Sequence, residues 1–320
     1  MAFLANWTID AGEGVDDFLV AVSSNGEVLV YKGTDPSTAS TFGKVGTFYV
    51  GQVPVGRRGF LQYGGDLVLI SANGIYPMSY IPRGGAGMLQ ASSEEYSSKI
   101  RSPLGEDLKN SFTMPGWTMA LHPSERILIV GVPDYGGKRS RQYVMSASQN
   151  QWTRFEGIPA ICYGESLSYM FAGTTDGRVL LLFSDPFDNI PYGESVGFAI
   201  RCVAFPAFSF FKTPALEKQF MMVRPTFLAV DPPAYVLQMR TNFSLDPLTA
   251  ATQPSASSTS AKWNTAKWDA AKWAGSQRSY ATWRTVGGVG FSGCATLVAE
   301  CVGSTVLVSM DYMLQSGGPL

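Results

Sequence analysis

Residues 16–79 decide the fold, and they read DDFLVAVSSNGEVLVYKGTDPSTASTFGKVGTFYVGQVPVGRRGFLQYGGDLVLISANGIYPMS. Short apolar runs alternate here with tight turns. Residues 18–22 and 28–31 flank a Ser-Ser-Asn-Gly turn, and residues 67–70 lead into Asn73-Gly74. Asn-Gly is the strongest short-range hairpin signal, because both central residues of a type I′ turn need positive φ. The stretch therefore predicts successive β-hairpins.

Two further segments repeat the pattern. Residues 167–183 turn at Thr175-Asp176-Gly177, and residues 125–155 turn near Gln149-Asn150. Four related hairpins indicate a repeat, and a hairpin pair per unit of roughly 40–50 residues is typical of a β-propeller blade. The turn glycines follow no strict period, and an antiparallel sandwich built from meanders would give similar hairpins. Both architectures remain open at this point.

The pattern changes after residue 183. Residues 184–195, SDPFDNIPYGES, are typical of a linker, and longer strands are predicted at 197–211, 218–230 and 234–243. Residues 296–314 predict two strands that turn at Gly303-Ser304. The predicted fold class is therefore all-β: a partial or irregular β-propeller over residues 1–195, followed by a β-sandwich-like platform domain with a Trp-rich loop over residues 196–320.

One segment of the first domain has helical character. In residues 82–110, Ser92 or Ser93 can cap a helix, the acidic pair Glu94-Glu95 favours its N-terminus, and Pro103 is expected to end it. We interpret this segment as an insertion between blades.

The composition excludes several function classes. Charged residues make up 15% of the chain, aromatic residues 12%, and the formal net charge is -1. The protein therefore has no net positive charge that would attract nucleic acid. Any contact with DNA would occur while DNA passes the protein, not through stable binding. No run of 18 or more apolar residues predicts a membrane span, and the first residues do not resemble a secretory signal.

The residues offer little catalytic chemistry. The single histidine, His122, precedes Pro123 and is interpreted as a loop residue, and no GxSxG elbow is present. The carboxylates are the only remaining catalytic candidates: Asp16-Asp17, Glu94-Glu95 and Asp176. Asp176 is explained by its turn and Glu94-Glu95 by a helix start. The four cysteines, which lack CxxC spacing, are interpreted as small buried hydrophobic residues rather than disulfide or metal ligands: Cys162, Cys202, Cys294 and Cys301. We therefore expect no enzyme activity, cofactor or metal.

Three groups are candidate interface residues. Arg57 and Arg58 follow a bend as a solvated or interfacial corner. The basic loop at residues 135–141 is expected to be a hairpin tip, and it is the best local candidate for an acidic partner surface through Lys138, Arg139 and Arg141. The third group, Trp263, Trp268 and Trp273, has a five-residue spacing that fits neither helix nor strand. These tryptophans are expected to clamp a loop to the sheet or to a neighbouring subunit, with sugar stacking as the alternative.

Several ordered segments together resemble one family. They are EVLVYKGTDPSTASTF, VGRRGFLQYGGDLVLISANGIYPMS, QYVMSASQNQWTRF and FAGTTDGRVLL, followed by KQFMMVRP, the Trp-rich loop and SMDYMLQSGG. In these the chain resembles the tail nozzle (tail tube or hub) proteins of short-tailed bacteriophages. The resemblance covers most of the chain and includes no catalytic motif.

The resemblance implies a structural virion protein located in the phage tail and made in the host cytoplasm. It implies a β-propeller combined with sandwich elements, assembled as a hexameric ring through which the genome leaves. An adaptor protein would lie above the ring, with needle or fibre proteins below or beside it. Family members are usually longer, so we expect an open propeller or one that another polypeptide completes. The alternatives are a surface or secreted propeller that binds or cleaves glycans, and an intracellular scaffold.

Overall fold

The computed structural model describes residues 2–10, 15–38, 40–83, 95–122, 124–134, 140–184, 198–246, 277–301 and 303–317. The chain divides into two compact units, Met1–Ser184 and Asp185–Leu320. The division falls at the start of the segment that the sequence predicts as a linker. The predicted all-β class is confirmed, because the described residues form strands, two short 3₁₀ helices and one short α-helix.

The first unit contains four antiparallel sheets, and in each of them every strand pairs with the next along the chain. The first sheet has four strands: β1 (Phe3–Asp10), β2 (Val15–Val22), β3 (Glu27–Gly33) and β4 (Phe42–Tyr49). The second has three: β5 (Phe60–Tyr63), β6 (Asp66–Ser71) and β7 (Gly74–Pro77). The third has four: β8 (Thr118–His122), β9 (Ile127–Val132), β10 (Arg141–Ser146) and β11 (Gln151–Glu156). The fourth has three: β12 (Ala160–Ser166), β13 (Tyr169–Thr174) and β14 (Val179–Leu182).

The four predicted hairpins are confirmed. They are β2–β3, β6–β7, β10–β11 and β13–β14. In the first of these turns, the amide of Gly26 donates to the carbonyl of Ser23 at 3.0 Å, and Gly26 has a φ of 89°. Glycine accepts this conformation because it lacks a Cβ. Local turn chemistry therefore determines these hairpins.

The sheets of the first unit stack face to face in chain order, and apolar cores lie between them. Leu67 and Leu69 of β6 are buried against the first sheet, together with Trp7 and Val20. The intervening residues of β6, Val68 and Ile70, face the opposite way and pack in a second core with Trp117, which precedes the third sheet, and with Leu128 and Val130 of that sheet. Ile129, between the last two, packs with Met170 of the fourth sheet. Successive side chains of a strand point to opposite faces, so the inner sheets bury both of their faces.

The predicted helix is shifted toward the C-terminus. The structure has α1 at Arg101–Ser111, after a 3₁₀ turn at Ser98–Ile100, and residues 84–94 lie outside the described residues. The expectation that Pro103 ends the helix is wrong, because Pro103 lies in its first turn. The amides of a first turn have no partner within the helix, so proline is tolerated there. Leu104 and Leu108 pack this helix into the second core.

The second unit contains two further antiparallel sheets. One has the order β15-β20-β17: β15 (Ile200–Ala204), β17 (Ala234–Thr241) and β20 (Gly293–Cys301). In the other, the long strand β16 (Lys218–Ala229) pairs along one side with β18 (Arg278–Ala281) and β19 (Arg284–Gly290), and along the other side with β21 (Thr305–Ser316). Residues of both sheets share one core that includes Phe220, Val223, Val286 and Ala295. This arrangement is a two-sheet sandwich.

One strand prediction of the second unit is wrong. The apolar run at residues 197–211 predicts a single long strand, but β15 covers five residues and the chain then turns. Phe210 accepts a hydrogen bond from the amide of Thr213 at 3.0 Å, and the two residues between them, Phe211 and Lys212, have positive φ. Phe211 packs against the core, with its ring tilted against that of Phe220 and edge-on to that of Tyr312. The apolar residues that follow β15 therefore belong to a loop whose aromatic side chains pack on the sandwich, and they do not continue the strand.

Candidate assembly surfaces

The outer face of the fourth sheet is apolar and exposed. The register places Phe171 opposite Leu181 and Gly173 opposite Val179, with Tyr169 on the same face. The side chains of Tyr169, Val179 and Leu181 are exposed, that of Val179 to 74%. The neighbouring strand β12 adds Cys162, Gly164 and Ser166 to this face, so the residues that the three strands contribute to it are uncharged. Exposed apolar patches are often interaction sites, so this face is a candidate contact surface.

A strained turn extends the edge of this face. Leu167 and Ser168 join β12 to β13 as a two-residue loop, and both have positive φ, 51° and 67°. This geometry defines a type I′ turn, in which Asn and Gly are the favoured residues. Leu167 is 89% exposed. Leu167 is a bulky apolar residue in a disfavoured backbone conformation, and its side chain is not buried within the unit. Such strained, exposed residues are typical of functional sites.

The second unit carries a cluster of exposed phenylalanines. Phe208 lies 5.9 Å from Phe205 and 4.8 Å from Phe243 between ring centroids, and Phe210 lies 5.9 Å from Phe243. Phe243 is 57% exposed and has a φ of 61°, directly after Asn242 with a φ of 51°. The guanidinium of Arg240 lies over the ring of Phe205 at 5.2 Å. Aromatic rings with a neighbouring arginine have the composition of interface anchors.

A long edge strand lies elsewhere in the second unit. β21 has 12 residues and pairs with β16 along one side only, within the part of the chain that the structure describes. Its exposed side chains include Val306, Val308 and Met313. Its only ionisable acid, Asp311, is ion-paired with Arg224 at 2.8 Å. A long apolar edge with unpaired backbone groups is a template for pairing with another strand.

The structure gives the predicted interface residues different surroundings. Arg57 and Arg58 are exposed, and Arg58 donates to the carbonyl of Ile161 at 3.5 Å. Arg141 is not part of a surface loop, because it begins β10 and is ion-paired with Asp107 of α1 at 2.9 Å. Its side chain is only 11% exposed. The charge of Arg141 is therefore neutralised by Asp107 within the first unit.

The remaining interface candidates lie outside the described residues: Lys138, Arg139, Trp263, Trp268 and Trp273. The sequence did not single out the exposed residues Leu167, Val179, Leu181 or Phe243. Alternating apolar residues predict strands, but they do not tell which of two faces is covered.

His122 is not a loop residue, and that interpretation is wrong. It ends β8 opposite Ile127, is 4% exposed and stacks on Phe183 with 5.5 Å between ring centroids. Its Nδ1 atom is buried without a hydrogen-bond partner. The ring packs as an aromatic side chain at the border between the third and fourth sheets.

The carboxylates have structural surroundings. Hydrogen bonds from Arg178 and then from Thr174 lower the pKa of Asp176 to about 2, and both residues flank its turn. Glu95 does not start a helix: its side chain is buried, accepts a hydrogen bond from Ser97 at 2.6 Å and is ion-paired with Arg101. Asp17 accepts a hydrogen bond from Thr8 at 2.9 Å. The side chain of Asp16 and residue Glu94 lie outside the described part.

The cysteines differ from the prediction. Cys294 is buried as expected, but Cys202 is exposed, and Cys162 and Cys301 are partly exposed. Among the described residues, no group of three or more His, Cys, Asp or Glu side chains is arranged to hold a metal ion. Within the same residues, no helix is long and apolar enough to cross a bilayer.

Two comparisons with known proteins were without a match. No protein-family model matches the chain, and no curated protein matches it significantly. The surfaces described above are therefore the basis for a functional assignment.

Proposed function

We propose that the chain is a structural virion protein, a subunit of the tail nozzle ring of a short-tailed bacteriophage. In this role it forms part of the conduit for genome ejection and performs no catalysis. The observation that carries the proposal is the apolar outer face of the fourth sheet, which no described residue of the first unit covers. A self-sufficient domain would cover such a face, whereas a subunit of a ring leaves it for a neighbour.

The four stacked sheets support the propeller component of the proposal. Each sheet is an up-and-down meander of three or four strands, as in a propeller blade, and successive sheets share apolar cores. We interpret them as consecutive blades of an open propeller. The first sheet also exposes Leu4, Val45 and Tyr49. An open stack has two end faces, and a neighbouring subunit or another polypeptide can cover each of them.

The second unit supports the assembly component. The phenylalanine cluster and the edge of β21 are surfaces that a subunit, an adaptor protein or a needle protein can contact. The net charge of -1 suits a conduit, because basic contacts to phosphate would raise affinity for DNA and slow its passage.

The decisive experiment is electron microscopy of the recombinant full-length chain and of purified virions. We expect rings with sixfold symmetry in negative stain, and the chain in the tail of the particle by antibody labelling. Light scattering after size-exclusion chromatography gives the number of subunits in the ring. A chain that is monomeric at every concentration and absent from particles would contradict the proposal.

A matched pair of variants tests the apolar face. Leu181→Lys places a charge on the outer face of the fourth sheet, and it is expected to convert rings to monomers while circular dichroism stays unchanged. Gln151→Lys, at an exposed position of β11, adds the same charge away from this face and is expected to form rings as the wild type does. Equal ring formation by both variants would exclude the fourth sheet as the subunit contact.

A further inference from the structure

Cys202 and Cys301 lie on paired strands of the sandwich and face the same side of the sheet. In the antiparallel pair β15–β20, Ile200 is opposite Cys301 and Cys202 is opposite Ala299. The two cysteines are therefore diagonal neighbours on the same face of the sheet. The register therefore brings together two cysteines that are far apart in sequence.

The surroundings make Cys301 nucleophilic. Hydrogen bonding by Cys202, and to a smaller extent by Thr305, lowers the pKa of the Cys301 thiol to about 7, although partial burial opposes this shift. A thiol with such a pKa is about half thiolate at neutral pH, and the thiolate is the reactive form. The charged residues of the two strands are Arg201 and Glu300. They stand opposite each other in the strand register, on the other face of the sheet. The thiol pair therefore sets the reactivity of Cys301.

The other cysteines of the chain differ in this respect. Cys294 is buried, and burial raises the pKa of its thiol. Cys162 belongs to the first unit and is partly exposed. Cys202, in contrast, is exposed on the edge strand β15, so an oxidant in solution can reach the pair.

We propose that Cys202 and Cys301 are a redox-responsive dithiol, which a peroxide or a disulfide oxidant closes to a disulfide between β15 and β20. With hydrogen peroxide, the Cys301 thiolate attacks one oxygen atom, the O–O bond breaks, and Cys301 becomes a sulfenic acid while hydroxide leaves and takes a proton. The Cys202 sulfur then attacks the Cys301 sulfur and displaces water. In sum, two thiols and one peroxide give one disulfide and two waters, so two electrons pass from sulfur to oxygen.

The disulfide would join an edge strand covalently to the centre of its sheet. β15 pairs only with β20 in the sheet as described, and the crosslink closes a loop of roughly 100 residues. Because closure requires an oxidising compartment, the sandwich would be stabilised after the protein leaves a reducing one. The inference is independent of the proposed nozzle function.

The test uses the full-length protein, treated with a small excess of hydrogen peroxide or with oxidised glutathione at pH 7. Tryptic mapping by mass spectrometry without reductant is expected to yield a crosslinked pair of peptides containing Cys202 and Cys301, and dithiothreitol is expected to reverse it. The thermal unfolding midpoint of the second unit should rise by roughly 5–10 °C on oxidation. Oxidation that leaves both thiols free, or pairs them at random with Cys162 and Cys294, would overturn the proposal.

Two variants separate the thiol pair from general thiol reactivity. In Cys202→Ala, alkylation of Cys301 by iodoacetamide at pH 7 is expected to slow by roughly tenfold, because the thiol returns toward its ordinary pKa. Cys162→Ala is the control and should leave both the crosslink and the alkylation rate unchanged. Unchanged alkylation of Cys301 in Cys202→Ala would also contradict the proposal, and this measurement does not depend on disulfide geometry.

Discussion

Tyr143 donates a hydrogen bond from its hydroxyl to Oδ2 of Asp107 at 2.7 Å, and Oδ1 of the same carboxylate is ion-paired with Arg141 at 2.9 Å. Asp107 belongs to α1, whereas Tyr143 and Arg141 belong to β10. All three side chains are largely buried. One carboxylate therefore fixes the helix to the third sheet.

Loss of this carboxylate should be costly. Asp107→Ala leaves the Arg141 charge and the Tyr143 hydroxyl without their partner, and we expect a loss of about 3–5 kcal/mol in the free energy of unfolding. Tyr143→Phe should cost about 1–2 kcal/mol, because the ion pair remains. The exposed pair Arg154–Glu156 is the control, and Glu156→Ala should cost less than about 1 kcal/mol. Urea denaturation measures all three, and equal losses for Asp107→Ala and Glu156→Ala would contradict this assignment.

The buried tyrosines predict a loss of stability at alkaline pH. Burial, and then the hydrogen bond to Asp107, raises the pKa of Tyr143, and burial also raises the pKa of Tyr76, Tyr96 and Tyr312. Below pH 10 each group is protonated in both the folded and the unfolded state, so this contribution is fully present. Above pH 10 the unfolded state loses these protons first, and the free energy of unfolding should fall. Urea titrations between pH 8 and about 11 test this, and Tyr143→Phe should show a shallower decline than the wild type.

Two glycines with similar backbone conformations should respond differently to alanine. Gly26 and Gly177 have φ values of 89° and 81°. A Cβ at Gly26 would collide with the backbone carbonyl of Gly51, whereas a Cβ at Gly177 meets open space. We expect Gly26→Ala to cost about 3 kcal/mol or more and Gly177→Ala about 1 kcal/mol. Similar losses in chemical denaturation would show that backbone strain alone, and not the close approach, determines the cost.

Lys218 should be essential to the stability of the sandwich, although lysine is usually an exposed residue. Its side chain is fully buried, and Nζ donates to the carbonyls of Thr213, Leu216 and Phe291 at 2.5, 2.7 and 3.0 Å. Lys218→Met keeps the apolar stem but leaves three carbonyls without this donor, so we expect a loss of about 2–4 kcal/mol. Lys212→Met, at an exposed lysine of the same segment, should be nearly neutral. Thermal denaturation of the two variants gives the comparison, and a stable Lys218→Met protein would show that solvent satisfies these carbonyls.

The turn at Leu167 predicts a stabilising substitution. Asparagine tolerates positive φ better than leucine, and the exposed leucine side chain loses almost no packing when it is removed. Leu167→Asn should therefore raise the free energy of unfolding by about 0.5–1 kcal/mol. Val179→Asn, at an exposed position with strand geometry, is the control and should give no gain. A destabilised Leu167→Asn protein would show that the leucine packs within the unit.

Local sequence predicted the hairpins well because their determinants are local. Turn residues lie where they were expected, although only Gly74 and Gly177 of the two pairs have positive φ and Asn73-Gly74 does not form the type I′ turn; the apolar runs beside the turns become strands. The turn at Leu167-Ser168 could not be predicted, because neither residue favours positive φ and the two-residue connection set by the β12–β13 register imposes it. Pro103 misled the helix prediction, since proline ends a helix in its interior but is accepted in its first turn.

The candidate surfaces could not be predicted from the sequence, because the sequence does not show which face of a strand another sheet covers. Val68 and Val179 are both valines of β-strands, yet one is fully buried between two sheets and the other is 74% exposed. The difference arises from whether another layer follows, which is a property of the whole fold. Likewise, Arg141 was predicted in a basic loop, but its partner Asp107 lies on a helix whose position the sequence did not reveal.

The two-sided packing of β6 has a consequence for how such a molecule grows. A sheet that is apolar on both faces covers the preceding sheet with one face and exposes a similar apolar surface with the other. Further sheets can therefore be added through the same kind of apolar packing. Growth of this kind stops at a layer whose outer face is polar or covered. The last layer described in the first unit turns Val179 and Leu181 outward, so this layer does not by itself end the series.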